Sequence, residues 1–361
     1  MNKAALIGIV IVIVVVAAAA AFVFLGNPAS TTGGGTSTAT TSAPQANLTV
    51  SNYAYCVGTA ATPQQDQSYF APIYTNGQLG QWQQTTPYPI AHTLAGCNIY
   101  NNSIYCVGTF NSNQSDFANS YYAPISPQGI GSWSQSKGYP IPLYDAGCST
   151  SNGYLYCVGS QYGSMSDVYY TKLSDAGTMN WTTATSYPEM GHGASCLVYN
   201  NILYCIGVGN YPFYHSYYAN LNQTNGSVGT WIRTSNYPVA KISAGCNVAG
   251  GYIYCVGTAG TQAQNETYYA QLTSTGVSSW TQTTSYPVPI SNSGCFINGN
   301  YIYCVGSSQS GSQNAAYYAP VSSSGIGAWI KTTSYPVAMT SSYCVLPGYS
   351  GGYYSGGAPS S

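Results

Sequence analysis

The stretch CNIYNNSIYCVG, residues 97–108, predicts a β-hairpin in which each strand carries one cysteine. Its midpoint falls between Asn101 and Asn102, and asparagine tolerates the positive φ that a two-residue type I′ turn requires. A turn at this point places Cys97 directly opposite Cys106. Counted outward from the turn, the two cysteines form a non-hydrogen-bonded pair. The Cα atoms of such a pair approach to about 4.5 Å, within reach of a disulfide bond.

This hairpin is one copy of a repeat that fills the chain after residue 47. The pattern C-x8-C occurs five times, and the first cysteines of successive copies lie 51, 48, 50 and 49 residues apart. The pairs are Cys97/Cys106, Cys148/Cys157, Cys196/Cys205, Cys246/Cys255 and Cys295/Cys304. Three further patterns occur six times each. Tyr-Cys-Val/Ile-Gly begins at Tyr55, Tyr105, Tyr156, Tyr204, Tyr254 and Tyr303; an aromatic pair at Tyr69, Tyr121, Tyr169, Tyr217, Tyr268 and Tyr317; and W-x5-Y-P at Trp82, Trp133, Trp181, Trp231, Trp280 and Trp329.

Each repeat contains four short strand signals, separated by Gly, Asn, Ser and Pro. The first strand carries the first cysteine, the second carries Tyr-Cys, the third carries the aromatic pair and the fourth contains the tryptophan. Four antiparallel strands in about 50 residues are typical of a propeller blade. The sequence therefore predicts an all-β fold, a six-bladed β-propeller of four-stranded antiparallel blades, preceded by an N-terminal transmembrane helix.

Two cysteines have no partner within their own repeat. Cys56 lies in a Tyr-Cys strand that no first strand precedes, and Cys344 lies in a first strand that no Tyr-Cys strand follows. We predict that these two strands complete one blade and that a Cys56–Cys344 disulfide closes the ring. The chain-entropy model gives about 4–5 kcal/mol for so long a loop, more than for the local bonds.

Other thiol chemistry does not fit the cysteine spacing. Structural zinc sites favour C-x2–4-C and redox sites favour C-x-x-C, and neither spacing occurs in the chain. The 12 cysteines are an even number in a chain that carries an export signal, which predicts six disulfides. We predict no catalytic residue, no metal site and no cofactor.

The N-terminus carries the longest apolar run. Ala4 to Leu25 are 22 uncharged, mostly apolar residues, which is enough to cross a bilayer. Cleaved signal peptides have a shorter apolar run of about 7–15 residues. We therefore expect a retained single-pass anchor in the cell membrane, with Lys3 inside and the propeller outside. Cleaved secretion is one alternative. Prepilin-like processing is another, because Lys3-Ala4 ahead of an apolar helix resembles the processing site of archaeal pilin-type proteins.

Composition divides the chain into four predicted segments. Residues 1–26 are the membrane anchor or signal, 27–46 a flexible Ser/Thr/Gly-rich stalk, 47–347 the propeller and 348–361 a disordered Gly/Ser-rich tail. Glycosylation sequons occur at Asn47, Asn101, Asn113, Asn180, Asn222, Asn225 and Asn265. The candidate glycosylation sites among them are Asn47, Asn113, Asn222 and Asn265.

Charge is scarce throughout the chain. Charged residues make up 4% of it, and there are 6 Lys or Arg residues and 7 Asp or Glu residues. Six cations cannot form the basic stripe that nucleic acids require, so nucleic-acid binding is excluded. The 38 tyrosines and the 45% hydrophobic residues supply a core. Low charge and heavy disulfide use would suit an acidic or hot environment, as in archaea.

The repeat resembles that of the kelch propellers. The stretches YIYCVGT, TYYAQL and WTQTTSYP correspond to the family's glycine-ended strand, its Tyr, and its Trp followed by Pro. The resemblance covers about residues 48–346 and implies the propeller fold. Thr, Ser or Val replaces the family's second Gly, and the Arg after the Pro is missing, so function is not carried over. The copper site of the kelch-like galactose oxidases needs a Tyr–Cys crosslink, whereas here each Cys has a disulfide partner.

The topology separates two faces of the ring. The turns between first and second strands lie on one face, here face A. The loops between second and third strands and the connections between blades lie on the other, here face B. Most ionisable side chains map to face B. We prefer the simple interpretation that charge lies in loops because the strands lack it. The alternative is a ligand funnel formed by His92, Asp145, Glu189, His192, Lys241 and His215.

The predicted function is binding at the cell surface. The repeated Tyr and Trp residues are expected to pack between blades rather than to stack on sugars. The chain is therefore predicted to be an adhesion or envelope-structural propeller that recognises an extracellular glycan or protein. The alternatives are an extracellular carbohydrate-active enzyme with its site on face B, and a pilin-like surface subunit with a propeller head. The sequence makes no prediction of oligomeric state.

Overall fold

Asparagine and glycine turns set the register of the blades. In the hairpin that contains Cys97 and Cys106, Asn101 has a φ of 48° and Asn102 a φ of 59°, and the two cysteines are paired residues. Because these residue types accept positive φ, each hairpin turns where the sequence predicts. The equivalent turn residues with positive φ are Asn152, Gly153, Asn200, Asn201, Gly250, Gly251 and Gly299.

The structure is a computed structural model, and its described residues belong to the unit Asn47–Ser361. The predicted anchor and stalk, residues 1–26 and 27–46, lie outside them. None of the helices in the described part of the chain is long and apolar enough to cross a membrane. The described residues are 48–58, 66–90, 96–108, 118–143, 146–159, 166–190, 195–208, 214–239, 245–257, 265–290, 294–307, 311–339, 343–347, 349–350 and 355–356.

The strands form six antiparallel blades, numbered here in chain order. Blade 1 contains β1 (Val50–Val57), β2 (Ser68–Tyr74) and β3 (Gln83–Thr85). Blade 2 contains β4 (Gly96–Tyr100), β5 (Ser103–Val107), β6 (Ser120–Ser126), β7 (Gly129–Ile130) and β8 (Ser134–Gln135). Blade 3 contains β9 (Gly147–Ser151), β10 (Tyr154–Val158), β11 (Val168–Ser174), β12 (Gly177–Thr178) and β13 (Thr182–Thr183).

The second half of the ring repeats this plan. Blade 4 contains β14 (Ser195–Tyr199), β15 (Ile202–Val208), β16 (His215–Asn220) and β17 (Ile232–Arg233). Blade 5 contains β18 (Gly245–Ala249), β19 (Tyr252–Val256), β20 (Thr267–Thr273), β21 (Gly276–Val277) and β22 (Thr281–Gln282). Blade 6 contains β23 (Gly294–Asn298), β24 (Tyr301–Val305), β25 (Ala316–Ser322), β26 (Gly325–Ile326) and β27 (Ile330–Lys331). In blades 2, 3, 5 and 6 a two-residue strand extends the third strand before the chain reaches the fourth.

A three-residue strand after blade 6 closes the ring. β28 (Tyr343–Val345) pairs with β1 and places Cys344 opposite Cys56, as predicted. The first strands β4, β9, β14, β18, β23 and β28 each contact the next, and β28 contacts β4. Two further strands, β29 (Tyr349–Ser350) and β30 (Ser355–Gly356), pair with each other and contact the first strands of blades 2 to 5. They lie within residues 348–361, the segment expected to be a disordered tail.

All twelve cysteines lie in described residues and form the six predicted disulfides, so none is free. Each blade contains one disulfide, between its first and second strands. The Cα atoms of the bonded cysteines are 4.0–4.1 Å apart, closer than the expected distance. The disulfides are Cys56–Cys344, Cys97–Cys106, Cys148–Cys157, Cys196–Cys205, Cys246–Cys255 and Cys295–Cys304.

The repeated aromatic residues pack between blades, which confirms the prediction for them. The tyrosine of each Y-P motif is buried and packs edge-on against two rings of the next blade. Its ring centroid lies 4.7–5.0 Å from the Trp of that blade and 5.2–5.5 Å from the third-strand Tyr of that blade. The hydrophobic core therefore lies between neighbouring sheets. The six triplets are Tyr335/Trp82/Tyr69, Tyr88/Trp133/Tyr121, Tyr139/Trp181/Tyr169, Tyr187/Trp231/Tyr217, Tyr237/Trp280/Tyr268 and Tyr286/Trp329/Tyr317.

Each tryptophan also joins its blade to the preceding one by a hydrogen bond. The indole N–H donates to a backbone carbonyl of that blade at 3.0–3.5 Å. Trp82 of blade 1 donates to Thr333 of blade 6, so the ring closes with the same contact. Each Trp directly precedes the fourth strand, whereas the repeat pattern predicts it within that strand. The other pairs are Trp133/Thr86, Trp181/Lys137, Trp231/Thr185, Trp280/Ser235 and Trp329/Thr284.

Candidate functional site

Two of the six predicted ligand residues lie together on face B. Glu189 lies in the connection from blade 3 to blade 4, and His215 is the first residue of β16 in blade 4. His215 Nδ1 lies 2.8 Å from Glu189 Oε1 and 2.9 Å from Oε2. The other four candidates, His92, Asp145, His192 and Lys241, lie outside the described residues.

A tyrosine completes this cluster. The Tyr217 hydroxyl donates to Glu189 Oε1 at 2.5 Å, so two side chains of β16 hold one carboxylate. The Glu189 side chain is 20% exposed and that of His215 is 25% exposed. With Nδ1 directed at the carboxylate, the second ring nitrogen of His215, Nε2, lies on the opposite side of the ring. It has no hydrogen-bond partner among the described residues.

The strand geometry explains why these side chains meet. Residues 215 and 217 are two positions apart, so their side chains lie on the same face of β16. A bulge in β15 between Ile206 and Val208 extends the pairing so that His215 lies opposite Val208. The sequence pattern predicts His215 in the loop between the second and third strands, but the bulge brings it into the strand. On the outer side, Tyr217 pairs with Arg233 of β17, and the nearby Arg233 charge helps to lower the pKa of Glu189.

The cluster lies at the face-B end of the contact between blades 3 and 4, and we call each such line of contact between neighbouring blades a groove. Beneath it, the buried Tyr187 ring contacts Tyr217 and Trp231. The residue two positions after the Y-P tyrosine covers the end of each such groove, and we call it the cap. In the groove between blades 3 and 4 the cap is Glu189. In the other five grooves it is a half-buried aliphatic side chain packed on the core: Ile90, Ile141, Val239, Val288 or Val337.

The position of His215 also differs between blades. Two residues before the third-strand tyrosine, the other blades carry Gln67, Asn119, Asp167, Glu266 and Ala315. In blades 1 and 5 this neighbour accepts the tyrosine hydroxyl, from Tyr69 to Gln67 at 2.6 Å and from Tyr268 to Glu266 at 2.9 Å. In blade 4 the acceptor is instead Glu189. Among the described grooves, this one alone combines a carboxylate cap with an imidazole.

The hydrogen bonds also shift the acidities in the cluster. Burial raises the pKa of Glu189, but the hydrogen bonds from Tyr217 and His215 outweigh it, and the pKa lies below its usual value. Burial and the bond to Glu189 raise the pKa of Tyr217 to about 12. The cluster therefore holds an ionised carboxylate and a protonated phenol at neutral pH.

The rim of the groove is mixed in character. The Tyr214 ring meets His215 edge-on at 4.9 Å, and Arg233 is exposed. Met190, next to the cap, is 53% exposed. The arrangement offers an acceptor nitrogen, guanidinium donors and apolar surface within one groove end. Within the described ranges, no group of three or more His, Cys, Asp or Glu side chains is placed to hold a metal ion.

Sequence reasoning missed Tyr217 and Arg233 as members of this site. Tyr217 was assigned only to inter-blade packing, which it also performs. The sequence nevertheless marks the site, because an alignment of the six repeats places Glu189 in a column otherwise occupied by Ile and Val. The same alignment distinguishes Glu189 from charges that are merely scattered over loops, whereas the column of His215 also contains Asp167 and Glu266.

The described glycosylation candidates differ in accessibility. Asn222 is exposed, and its Oδ1 accepts the backbone N–H of Thr224 at 2.9 Å. Asn265 is half-buried, and its Nδ2 donates to the Tyr286 carbonyl at 3.1 Å. The amide nitrogen that would carry a glycan is therefore engaged in Asn265. Asn47 and Asn113 lie outside the described residues.

The described residues define an all-β, six-bladed propeller of four-stranded antiparallel blades with a disulfide in each blade. A solved structure titled "Structure of YjhT" has a similar fold, with a TM-score of 0.56 and 12% sequence identity over 71% of this chain and 88% of that one. At this level of identity the likeness concerns the fold alone. No protein-family model matches the chain, and no curated protein matches it in sequence.

Proposed function

We propose that this chain is a cell-surface binding protein whose propeller recognises an extracellular glycan or protein through face B. The observation that carries the proposal is the Glu189 cap. The repeated cysteines, tyrosines and tryptophans are used in holding the ring together, so a ligand site is expected where the repeat is broken. At the groove between blades 3 and 4, an aliphatic cap is replaced by a carboxylate that orients His215.

The location outside the cell belongs to the same proposal. Six disulfides that use every cysteine are typical of oxidising compartments. The apolar run from Ala4 to Leu25 would tether the propeller through the stalk of residues 27–46, with Lys3 on the inner side. Mass spectrometry of the native N-terminus tests this part. An intact start supports the anchor, whereas a start after residue 25 or at Ala4 indicates secretion or prepilin-like processing.

Descent from the kelch propellers is part of the proposal too. The glycine-ended second strand, the third-strand tyrosine and the W-x5-Y-P motif support it. The propeller fold is consistent with it, although many unrelated chains share that fold. Glycosylation at Asn222 is also proposed, because its side chain is exposed in a turn.

A second function, a carbohydrate-active enzyme, is favoured by one observation. A carboxylate that holds histidine Nδ1, with Nε2 unbonded among the described residues, is the arrangement of a general base. Release of reducing sugar from envelope polysaccharides, assayed with the purified chain and with a His215→Ala variant, separates enzyme from binder. Turnover that the variant abolishes would establish the enzyme.

The binding function is tested directly with a glycan array. The full chain, purified in mild detergent and fluorescently labelled, is applied to the array and, in parallel, to extracted envelope proteins. Saturable binding to a glycan or to one protein supports the proposal. The disulfide-reduced, unfolded chain serves as control for non-specific adhesion. If the folded chain binds neither glycan nor protein above this control, the proposed function is wrong.

A further inference from the structure

The groove end between blades 3 and 4 presents one well-defined hydrogen-bond acceptor. Glu189 contacts Nδ1 of His215 through both carboxylate oxygens, at 2.8 and 2.9 Å. An ionised carboxylate only accepts hydrogen bonds, so Nδ1 must carry the proton. In the neutral form of the ring, this contact selects the tautomer whose Nε2 has a lone pair. A ligand group that meets Nε2 has to be a donor, such as a hydroxyl.

The donors of the groove come from Arg233. Arg233 is exposed and pairs with Tyr217 in the sheet, and one of its guanidinium nitrogens donates to Asn236 Oδ1 at 3.3 Å. A guanidinium has five N–H groups, so several are available to a ligand. The Glu189 carboxylate already accepts from His215 and Tyr217 and is not the main contact for a ligand.

The described groove contains one charge of each sign. Glu189 contributes one negative charge and Arg233 one positive charge. The whole chain has a formal net charge of −1, so no strong field attracts an ionic ligand from a distance. The exposed Met190 and the Tyr214 ring add apolar surface beside the polar atoms. A groove end with donors, an acceptor, apolar surface and one charge of each sign matches a molecule whose hydroxyls both donate and accept.

We propose that the groove between blades 3 and 4 binds a neutral carbohydrate, whose hydroxyl groups donate to Nε2 of His215 and accept from Arg233. Glu189 is a positioning residue that fixes the imidazole tautomer. The inference rests on the proposed binding function and names the ligand class and the site. A protein ligand at the same groove is the competing outcome.

The test uses NMR titration of the full chain in detergent micelles. The probes are the methyl glycosides of glucose, galactose and mannose, as monomers and short oligomers, with methyl glucuronide as the acidic counterpart. His215→Ala and Arg233→Ala are each expected to weaken binding of a neutral glycoside roughly tenfold, as expected for the loss of one or two hydrogen bonds. Neutral glycosides are expected to bind at least as tightly as the glucuronide.

Blade 6 offers a matched control. Lys331 of β27 pairs with Tyr317 as Arg233 pairs with Tyr217, but its groove has Val288 as cap and Ala315 in place of the histidine. Lys331→Ala removes an equivalent cation from an equivalent strand and is expected to leave the affinity unchanged. Equal losses in Arg233→Ala and Lys331→Ala would overturn the assignment of the site.

The positioning role of Glu189 has its own readout. Long-range ¹H–¹⁵N spectra report which nitrogen of His215 is protonated. The wild-type chain is expected to show Nδ1–H. Glu189→Val, which installs the aliphatic cap of other grooves, is expected to shift the population toward Nε2–H and to weaken glycoside binding while the other blades keep their spectra. An unchanged tautomer would overturn the positioning role.

The remaining outcomes separate this inference from the proposed function. If glycosides bind but all groove variants bind equally well, the site is wrong and the binding function stands. Preferential binding of the glucuronide overturns the neutral ligand class. If no glycan binds and an envelope protein binds instead, the carbohydrate inference is wrong and the proposed binding function stands. If neither a glycan nor an envelope protein binds, both the inference and the proposed function are wrong.

Discussion

At the level of single residues, Glu189 is unusual because a charge occupies a position that otherwise strengthens the core. Each of the five aliphatic caps covers the end of a groove with apolar surface, and a half-buried aliphatic side chain contributes on the order of 1 kcal/mol. Glu189 lacks this apolar contribution, and hydrogen bonds from His215 and Tyr217 compensate for the partial burial of its carboxylate. Functional sites commonly depart from the local rules of stability in this way.

Replacement of the cap should therefore not harm the fold. Glu189→Val is expected to leave the melting temperature unchanged or to raise it, because valine at this position packs over the Y-P tyrosine in other grooves. Val239→Ala, at the equivalent cap between blades 4 and 5, is expected to lower stability by about 1 kcal/mol. Differential scanning calorimetry of both variants measures this. A clear loss of stability in Glu189→Val would mean that the charged cluster is structural.

The lowered pKa of Glu189 makes stability depend on pH. Its carboxyl titrates lower in the folded chain than in the unfolded chain, where the usual value is about 4.3. The ionised form therefore stabilises the fold above that value, and this contribution disappears as the pH falls through the lower folded value. The stability difference between wild type and Glu189→Gln is expected to be constant near neutrality and to shrink below about pH 4. Thermal melts from pH 7 to pH 3 provide the measurement.

At the level of strands and turns, hydroxyl side chains join each blade to the next. Thr234, which follows β17, accepts the backbone N–H of Val277 at 2.7 Å and donates to its carbonyl at 3.2 Å. Thr283 makes the same pair of bonds to Ile326, and Thr85 makes it to Ile130. These contacts connect a fourth strand to the strand extension of its neighbour.

Removal of one such hydroxyl tests the connection. Thr234→Val keeps the shape of the side chain but leaves both backbone groups of Val277 without their partner, which is expected to cost about 1–2 kcal/mol. Thr281→Val, an equal exchange at an exposed position of β22, is expected to change stability by less than about 0.5 kcal/mol. Chemical denaturation with the disulfides intact compares the two variants. Equal effects would contradict a specific role for the Thr234 contacts.

At the level of the whole molecule, one disulfide differs from the other five in what it joins. Cys56–Cys344 spans 288 residues, whereas each of the others spans 9. Hydrogen bonds and aromatic contacts between blades 1 and 6 close the ring as well, through Trp82 and Tyr335. The covalent and non-covalent closures reinforce each other, because both hold the ends of the domain in one blade.

Removal of the ring-closing bond should therefore cost more than removal of a local one. In the chain-entropy model, loops of 288 and 9 residues differ by about 3 kcal/mol. The double variant Cys56→Ala/Cys344→Ala is expected to be less stable than Cys97→Ala/Cys106→Ala by roughly this amount. Denaturation curves of the two variants check this, and thiol titration confirms that the other ten cysteines stay bonded. Equal stabilities would show that the non-covalent contacts alone close the ring.

The fold could be predicted from the sequence because its determinants are local and repeated. The Asn101–Asn102 turn sets the register of one hairpin through backbone φ, and that register alone decides that Cys97 meets Cys106. The split of one blade between the two ends of the chain followed from Cys56 and Cys344, each left without a local partner. The repeat then predicts the packing between blades, because the repeated Tyr and Trp residues make the same contact at each pair of neighbouring blades.

The candidate site depended on the tertiary structure, because its residues come from different repeats and meet only through folding. Glu189 lies 26 residues before His215 in the chain, and the bulge in β15 decides that the imidazole faces the carboxylate. Arg233 joins them only through its pairing with Tyr217. The sequence by itself determined the ring, since turn conformation and cysteine spacing are short-range properties. The packing of blade 3 against blade 4 determined which few charges meet. Such a contact occurs once and is not part of the repeat, so the sequence pattern does not reveal it.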